Sequence, residues 1–231
     1  MSIATATERG ILFSAPMVRA ILDGSKTQTR RVVKPPRGYD SDQMGTVETN
    51  GLVFWDGHGH GGQDSRDRCQ LSPYGQPGDL LYVRETWRWY GRDRGQGREG
   101  GLEYRADGVS RGFDSFENPD AIWCVFSMEP EARLNRWRPS IHMPKAFSRL
   151  WLRITDVRVE RVQEITNADA IAEGMTKRGV WWDAGPNWEG DGAGETPVEA
   201  FAQLWDSINS KRSPWSDNPW VFAVSFEKVE K

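Results

Sequence analysis

The fold is indicated most clearly by the stretch RLWLRITDVRVERV at positions 149–162. Apolar residues alternate there with arginines, which is typical of a β-strand that has one buried and one solvated face. The residues expected to be buried are Leu150, Leu152, Ile154 and Val157. Positions 220–229 alternate in the same way, so we expect a second long strand there.

Three short helices are indicated by their capping residues. The expected N-caps are Ser14, Thr166 and Thr196, and the glycines expected to end the first two helices are Gly24 and Gly174. A Thr with an acidic residue three positions later forms a capping box in front of the second and third helices. The third helix carries apolar residues at helical spacing through Ile208.

The other segments predict shorter elements. We expect one strand at 79–89 and short strands at 102–106 and 121–126. Glycine and proline are dense at 35–78, which favours an irregular segment that could include a hairpin around 52–55. Positions 91–101 and 176–195 are predicted loops. Few helices and many strands predict an α+β fold around a mostly antiparallel sheet that could close into a barrel.

Composition limits the classes of function. The formal net charge is −3 over 231 residues, so any nucleic-acid surface has to be a local patch. Two cysteines do not make a disulfide framework, and the first nine residues lack the basic and apolar regions of a secretory signal. No apolar stretch is long enough to span a bilayer. We therefore expect a cytoplasmic protein with reduced thiols.

The sequence predicts neither a metal site nor a cofactor site. Its histidines and cysteines lack the CxxC and HxxxH spacings of zinc sites: His58, His60, His142, Cys69 and Cys124. No GxGxxG segment opens a predicted helix, and the sequence has neither a GxxxxGK[ST] loop nor a GxSxG elbow.

A dense positive charge follows the first predicted helix in the segment LDGSKTQTRR at 22–31. A helix end followed by a cationic strand can grip a phosphate or polarise a carbonyl group. Lys26 and Thr29 are three residues apart, so they face opposite sides of an extended strand unless a turn or bulge brings them together. The alternative interpretation is a solvated basic strand.

One acidic residue ends the second predicted helix. Glu173 lies where the helix dipole disfavours a negative charge, and such a placement suits a general acid or base. The alternative is a surface glutamate that tolerates a small electrostatic penalty.

A basic stretch at 133–161 contains eight basic and two acidic residues, with Trp137, Phe147 and Trp151 among them. Basic residues interleaved with aromatic rings are typical of a groove for a nucleic-acid strand. The candidate nucleic-acid-binding residues are Arg149, Arg153 and Arg158. The alternative is that the rings lie in the core and the arginines lie on the surface.

Several segments resemble the ASCH-domain family of the PUA-like superfamily, in the long form found in phages and prophages. They are FSAPM at 13–17, ILDGSKTQTRR at 21–31, PGDLLYVRE at 77–85, TDV at 155–157, EIT at 164–166, AEG at 172–174, LWDSIN at 204–209 and NPWV at 218–221. The resemblance implies one PUA-like, mostly antiparallel β-barrel domain with a few short helices. Insertions near 38–70, 91–120 and 176–195 lie outside it.

Members of this family have been linked to RNA binding, to ribonuclease activity and to hydrolysis of N4-acetylcytidine. In its small bacterial amidohydrolases, a lysine and a threonine of a Lys-x-x-Thr motif act with a glutamate of a later helix. Carried over by motif, the resemblance assigns these catalytic roles to Lys26, Thr29 and Glu173. This chain is longer than those enzymes, so its insertions could narrow the pocket or turn it into a nucleic-acid channel.

The resulting hypothesis is an amidohydrolase that acts on an N4-acylated cytidine nucleoside or a related modified base. The residues expected to bind its substrate are Arg30, Arg31, Arg84, Glu85, Trp87 and Trp220. Two alternatives remain: a non-catalytic module that binds RNA or modified DNA, and a ribonuclease of the ASCH type. A metal-assisted nuclease is a weaker alternative because the sequence lacks a ligand cluster.

Overall fold

The computed structural model describes residues 6–37, 44–48, 51–55, 68–93, 98–112, 135–184 and 193–231. The expected strand at 121–126 lies outside these residues, as do His58, His60 and Cys124. The chain divides into two compact units. The first unit comprises Met1–Arg9, Ala20–Leu81 and Trp151–Lys231, and the second comprises Gly10–Arg19 and Tyr82–Leu150.

The described residues form an α+β structure that is rich in strands and has few helices, as the sequence predicts. The strands are β1 (Glu8–Leu12), β2 (Gln28–Val32), β3 (Met44–Glu48), β4 (Leu52–Trp55), β5 (Arg68–Gln70), β6 (Leu80–Arg84), β7 (Trp87–Asp93), β8 (Arg98–Tyr104), β9 (Ser110–Gly112), β10 (Trp151–Arg161), β11 (Thr176–Arg178), β12 (Trp181–Asp183) and β13 (Trp220–Val229). The α-helices are α1 (Ala15–Leu22), α2 (Asn167–Ala172) and α3 (Pro197–Asn209). Single 3-10 turns occur at Ser140–His142, Lys145–Phe147, Val162–Glu164 and Trp215–Asp217.

The largest sheet has the strand order β1-β6-β10-β13-β2. Its last three strands belong to the first unit, where β13 pairs antiparallel with β10 on one side and with β2 on the other. Smaller sheets have the orders β3-β4-β5, β7-β8-β9 and β11-β12. Because β13 pairs with both neighbours, its register aligns the residues of β2 with those of β10.

The predicted helix caps of α2 and α3 are present. The hydroxyl of Thr166 accepts a hydrogen bond from the backbone N–H of Asp169, whose carboxylate accepts one from the backbone N–H of Thr166. Thr196 caps α3 through the N–H of Glu199. The second half of that predicted box is wrong, because the Glu199 carboxylate accepts from the N–H of Glu195.

The two long strands predicted from alternation are confirmed, with one difference in burial. The four apolar residues expected to be buried around β10 are all buried. In β13, however, Val221 and Val224 are buried although they face opposite sides of the sheet. The described structure covers both faces there, with the helix-packed cluster containing Val221 on one of them. Ile208 was expected in the core but is 58% exposed, because the apolar stripe of α3 ends before it.

Several predicted loops contain strands. The segment 35–78 includes the three-stranded sheet β3-β4-β5, and the predicted loop at 176–195 begins with the β11-β12 hairpin. The single strand expected at 79–89 is two strands, β6 and β7, which belong to different sheets.

The predicted loop at 91–101 lies in the β7-β8 hairpin. Glycine at 101 suits a strand there, because a Cβ atom at this position would collide with the backbone of Arg111 on β9. Close strand approach therefore explains a glycine that the sequence alone suggests is a loop residue.

None of the helices in the described ranges is long and apolar enough to cross a membrane.

Candidate functional site

Lys26 and Glu173 form a buried ion pair in the first unit, although 147 positions separate them in the sequence. The Lys26 Nζ atom lies 2.7 Å from Glu173 Oε2 and 2.7 Å from the Glu173 carbonyl oxygen. The two residues are 2% and 5% exposed. The ammonium group therefore neutralises the carboxylate and also caps the carbonyl end of α2, where the helix dipole favours a cation.

Local backbone geometry brings this pair together. Lys26 and Glu173 form an isolated antiparallel β-bridge, and the N–H of Thr27 donates to the carbonyl oxygen of Ala172 at 2.8 Å. Gly174 has a φ of +102°, which ends α2 and is readily adopted by glycine. A glycine after the helix thus turns the chain beside the Lys26 side chain, whose Cβ lies 3.5 Å from where a Gly174 Cβ would be.

Arg30 is the second cation beside Glu173. Its Nη1 atom lies 3.4 Å from Glu173 Oε1, and its Nη2 atom lies 2.5 Å from Glu160 Oε1 and 3.5 Å from Asp169 Oδ2. The Arg30 side chain has 0% exposure, and its ring neighbour is Phe201, whose centroid lies 5.9 Å away. One buried guanidinium therefore contacts carboxylates from β10, from α2 and from the end of α2.

Hydrogen bonds from Gln28 complete this polar cluster. Its side-chain oxygen accepts from Arg30 Nη1 at 2.5 Å, and its side-chain nitrogen donates to Asp169 and to Ser225, each at 3.1 Å. Asp169 also accepts from Arg158 at 2.9 Å. We call these seven residues the charge cluster: Lys26, Gln28, Arg30, Arg158, Glu160, Asp169 and Glu173.

Thr29 lies on the other face of β2. The register pairs Thr29 with Val224, and Val224 with Val157, so Thr29 shares the face of these buried residues. The hydroxyl oxygen of Thr29 accepts a hydrogen bond from Arg31 Nη1 at 2.7 Å. The alternation expected from the sequence is therefore present in β2, and the described contact of Thr29 is with Arg31.

Burial is the largest effect on the pKa values of Lys26, which precedes β2, and of Arg31 on β2. Burial lowers the pKa of Lys26, the Glu173 carboxylate opposes this effect, and the charges of Arg31 and Arg30 reinforce it. Burial likewise lowers the pKa of Arg31, with Tyr74 and Glu173 opposing. Arg31 thus donates a hydrogen bond to the Thr29 hydroxyl, and its charge disfavours the ammonium form of Lys26 and so helps to lower the pKa of Lys26.

The remaining residues expected to bind substrate are engaged within the protein. In the first unit, Trp220 is half-buried and the Arg161 guanidinium lies 4.3 Å from its ring centroid. In the second unit, Arg84 donates to the carbonyl oxygens of Met143 and Ile141.

Glu85 and Trp87 are buried in the second unit. Glu85 accepts two hydrogen bonds from Arg149, at 2.8 and 3.0 Å. Trp87 packs edge-on against Trp89 and Phe147, with centroid distances of 5.6 and 5.3 Å. Trp87 thus contributes to an aromatic core.

The three arginines expected to bind nucleic acid all have carboxylate partners. Arg149 lies 2.8 Å from both Glu85 and Asp107, and Arg153 lies 3.2 Å from Glu227. Arg158 belongs to the charge cluster. Each of these guanidinium groups is therefore already balanced by an acid.

Within the described ranges, no group of three His, Cys, Asp or Glu side chains is arranged to hold a metal ion. Cys69 is an exposed free thiol on β5.

Sequence reasoning missed that Glu160, Asp169 and Gln28 surround Arg30. In the sequence, Asp169 is the acidic residue of the second helix cap and Glu160 is one of the two acidic residues in the basic stretch at 133–161. The pairing of β13 with both of its neighbours carries the signal. Arg30 pairs with Ala223, and Ala223 pairs with Arg158. Glu160 is two positions from Arg158 along β10 and therefore lies on the same face of the sheet as Arg30. That signal becomes readable only once the neighbouring strands are known.

Comparison of the chain with protein-family models, with curated proteins and with solved structures finds no match.

Proposed function

We propose that this protein is an amidohydrolase that removes the acyl group from an N4-acylated cytidine nucleoside or a related modified base. The observation that carries the proposal is the 2.7 Å contact between Lys26 Nζ and Glu173 Oε2. A lysine and a carboxylate that are buried together can exchange a proton, because burial disfavours the charged form of each group. A solvated pair on the surface lacks this effect. The resemblance of the Lys26 and Glu173 segments to ASCH-type amidohydrolases supplies the substrate class.

The burial of Lys26 supports its role as a proton acceptor. An ordinary lysine is almost fully protonated at neutral pH. Burial lowers the pKa of Lys26, which increases the fraction in the amine form. The Glu173 carboxylate keeps the nitrogen in place in both protonation states.

The proposed reaction starts with attack on the acyl carbon. The Thr29 hydroxyl, or a water molecule that it orients, forms the new C–O bond while the carbonyl π electrons move to the oxygen. The proton released by the nucleophile passes to Lys26 through a water molecule, because Thr29 lies on the face of β2 opposite Gln28 and Arg30. Arg31 stabilises the oxyanion, a role supported by its 2.7 Å contact with the Thr29 hydroxyl.

Collapse of the oxyanion then breaks the C–N bond. The electron pair of that bond goes to the exocyclic nitrogen of the base, which takes a proton from the Lys26–Glu173 pair. If Thr29 is the nucleophile, a water molecule next hydrolyses the acyl-threonine ester. The products are the carboxylic acid and the free exocyclic amine.

The test is hydrolysis of N4-acetylcytidine by the purified chain, followed through the change in base absorbance. We expect turnover by the natural sequence and a loss of about 10²- to 10⁴-fold in Lys26→Met and Glu173→Gln. Arg153→Gln is the matched control, because it removes a cation from an exposed pair on β10. Absence of turnover with acetyl, propionyl and benzoyl substrates would reject the function, and full turnover in folded Lys26→Met would reject the site.

A nucleic-acid-binding module is supported less well. Its expected contacts, Arg149, Arg153 and Arg158, each lie against a carboxylate, so their charge is partly neutralised. Binding that depended on them would require these ion pairs to be exchanged for phosphate contacts.

We further propose that the five-stranded sheet belongs to a PUA-like barrel. Antiparallel pairing of β10 with β13 and of β13 with β2 supports this architecture. An experimental structure in which β1 and β2 lie at opposite open edges of a flat sheet would contradict it.

A further inference from the structure

Contacts within the protein explain the burial of Arg30 without a bound substrate. Its side chain has 0% exposure, and its two terminal nitrogens lie near four acceptor groups of the protein. The acceptors are the carboxylates of Glu160, Asp169 and Glu173 and the amide oxygen of Gln28. A guanidinium enclosed in this way is a structural cation, so its effect on chemistry passes through the groups that it holds.

The contacts of Arg30 differ in length. Glu160 binds Nη2 at 2.5 Å and Gln28 binds Nη1 at 2.5 Å, so each terminal nitrogen has one short contact. The contact of Nη1 with Glu173 Oε1 is longer, at 3.4 Å. The short contacts fix the guanidinium, and the longer one faces the carboxylate that pairs with Lys26.

The two oxygens of Glu173 therefore have different cations. Oε2 lies 2.7 Å from Lys26, and Oε1 lies 3.4 Å from Arg30. A carboxylate with a cation at each oxygen has a fixed plane and shares its charge between two partners. Lys26 consequently receives only part of the electrostatic stabilisation that an exclusive partner would give.

We propose that Arg30 is a positioning residue, held by Glu160 and Gln28, which fixes the Glu173 carboxylate and prevents Lys26 from having it as an exclusive partner. The catalytic part of this inference rests on the proposed amidohydrolase function. The electrostatic part, that Arg30 favours the amine form of Lys26, concerns the folded protein alone. It can be measured without any substrate.

Three charged residues of the described structure act on Lys26, and two more surround Arg30. Glu173 at the end of α2 stabilises the ammonium form, whereas Arg30 and Arg31 on β2 oppose it. Around Arg30 itself lie Glu160 on β10 and Asp169 on α2. Removal of the Arg30 charge therefore removes a repulsion from Lys26 and releases Glu173 to it, and both changes favour the ammonium form.

The experiment is a pH titration of the Lys26 side chain by NMR, with ¹³C at the lysine Cε and Lys26→Arg to assign the signal. We expect the pKa of Lys26 to rise in Arg30→Gln, because a like charge is lost and Glu173 keeps Lys26 as its nearest cation. Arg30→Lys keeps the charge and should restore most of the original value. Arg153→Gln, which changes an exposed pair, should leave the titration unchanged.

Turnover gives the second readout. In Arg30→Gln, kcat near neutral pH should fall in proportion to the measured rise in the pKa of Lys26, about tenfold per pKa unit, with a KM close to that of the natural sequence. The ascending limb of the pH profile, on which Lys26 loses its proton, should move to higher pH because the pKa of Lys26 is raised. A loss of packing alone would lower kcat without moving that limb.

A second variant guards against misfolding. Arg30→Gln leaves Glu160 without its closest cation, whereas Arg30→Gln with Glu160→Gln removes both charges together. Circular dichroism establishes that either variant is folded before titration. In a folded variant, a Lys26 pKa that does not move overturns the inference.

The two proposals fail in different ways. If the natural sequence hydrolyses no N4-acylcytidine, the proposed function is rejected, while a raised pKa of Lys26 in Arg30→Gln still supports the electrostatic role. If the natural sequence is active and Arg30→Gln raises the pKa of Lys26 without lowering kcat, the catalytic positioning role is overturned.

Discussion

Each unit of this protein buries a glutamate beside a cation, yet the two pairs differ in what they can do. In the first unit, Glu173 is shared between Lys26 and Arg30, at 2.7 and 3.4 Å. In the second unit, Glu85 takes both hydrogen bonds from one residue, Arg149, at 2.8 and 3.0 Å. One carboxylate is held by two cations, Lys26 before β2 and Arg30 on β2, and the other by both nitrogens of a single guanidinium.

The difference lies in the proton. Burial lowers the pKa of Lys26, which brings its amine form closer to neutral pH. Burial alone lowers the pKa of Arg149 too, but hydrogen bonds to Glu85 and Asp107 outweigh it and raise the pKa above the ordinary value. An arginine in this arrangement does not release its proton. We therefore assign proton transfer to the first pair and structural support to the second.

The largest effect on stability is expected from Arg149→Met. This change leaves Glu85 buried without its cation, which costs about 3–5 kcal/mol of unfolding free energy. Urea denaturation measures the loss. Hydrolysis per folded molecule should be unchanged, since Arg149 is assigned a structural role. Activity that disappears from the folded variant would contradict the division between the two pairs.

Acid should partly rescue the same variant. Burial raises the pKa of Glu85 even in the presence of Arg149, so the folded state holds a proton on Glu85 more tightly than the unfolded state does. Without Arg149 the pKa rises further, and the buried charge is removed as the pH falls through it. The stability gap between Arg149→Met and the natural sequence should therefore narrow as the pH falls from neutral through the raised pKa of Glu85. A gap that widens in acid would show that Glu85 is not the source of the loss.

Lys26→Met should destabilise the protein less than Arg149→Met. Glu173 loses its 2.7 Å partner but keeps Arg30 beside its other oxygen, so the carboxylate is not left alone. We expect a loss of about 1–3 kcal/mol, the range for one unsatisfied buried group. Urea denaturation of both variants under one condition makes the comparison. A loss equal to that of Arg149→Met would mean that Arg30 does not support Glu173.

The two regions were also unequally readable from the sequence. Local signals predicted α2 and α3 from the caps Thr166 and Thr196, and alternation predicted β10 and β13. These elements depend on neighbours a few positions away. The Lys26–Glu173 contact joins positions 147 apart, and only the family resemblance suggested it.

Other features depend on strand pairing and could not be read locally. The β7-β8 hairpin is rich in glycine and arginine, and Gly101 fits β8 because β9 passes close to it. The contact of Arg30 with Glu160 depends on the register of β10, β13 and β2, which no local sequence pattern specifies. Register and close approach are properties of paired strands, so they become visible only in three dimensions.

A smaller effect is expected from Asp169→Asn, which tests the rim of the charge cluster. Burial by itself raises the pKa of Asp169, but hydrogen bonds from Thr166, Arg158 and Gln28 outweigh it and hold the pKa below its ordinary value. The carboxylate therefore stabilises the fold above about pH 4, and this contribution is lost as the pH falls through the lowered pKa. We expect Asp169→Asn to cost about 1 kcal/mol at pH 7, close to the value of one helix cap.

The difference between Asp169→Asn and the natural sequence should shrink as the pH is lowered below about 4. Thermal unfolding at a series of pH values measures it. The neutral variant Thr166→Ser, which keeps the capping hydroxyl, is the matched control and should follow the natural sequence at every pH. A difference that stays constant across the series would assign the loss to packing.

The smallest effect is expected from Arg153→Gln, and its smallness is informative. Arg153 and Glu227 lie 3.2 Å apart, but their side chains are 53% and 55% exposed, so water and salt screen their attraction. We expect the unfolding free energy to change by less than about 0.5 kcal/mol.

Arg149 and Arg153 both lie in the basic stretch at 133–161 and both face a carboxylate, so charge pairing alone would predict equal losses. Comparable losses from Arg149→Met and Arg153→Gln in urea denaturation would remove burial as the reason for the contrast. A near-neutral Arg153→Gln beside a strongly destabilised Arg149→Met would show that desolvation, and not the mere presence of an ion pair, sets the cost of breaking each contact.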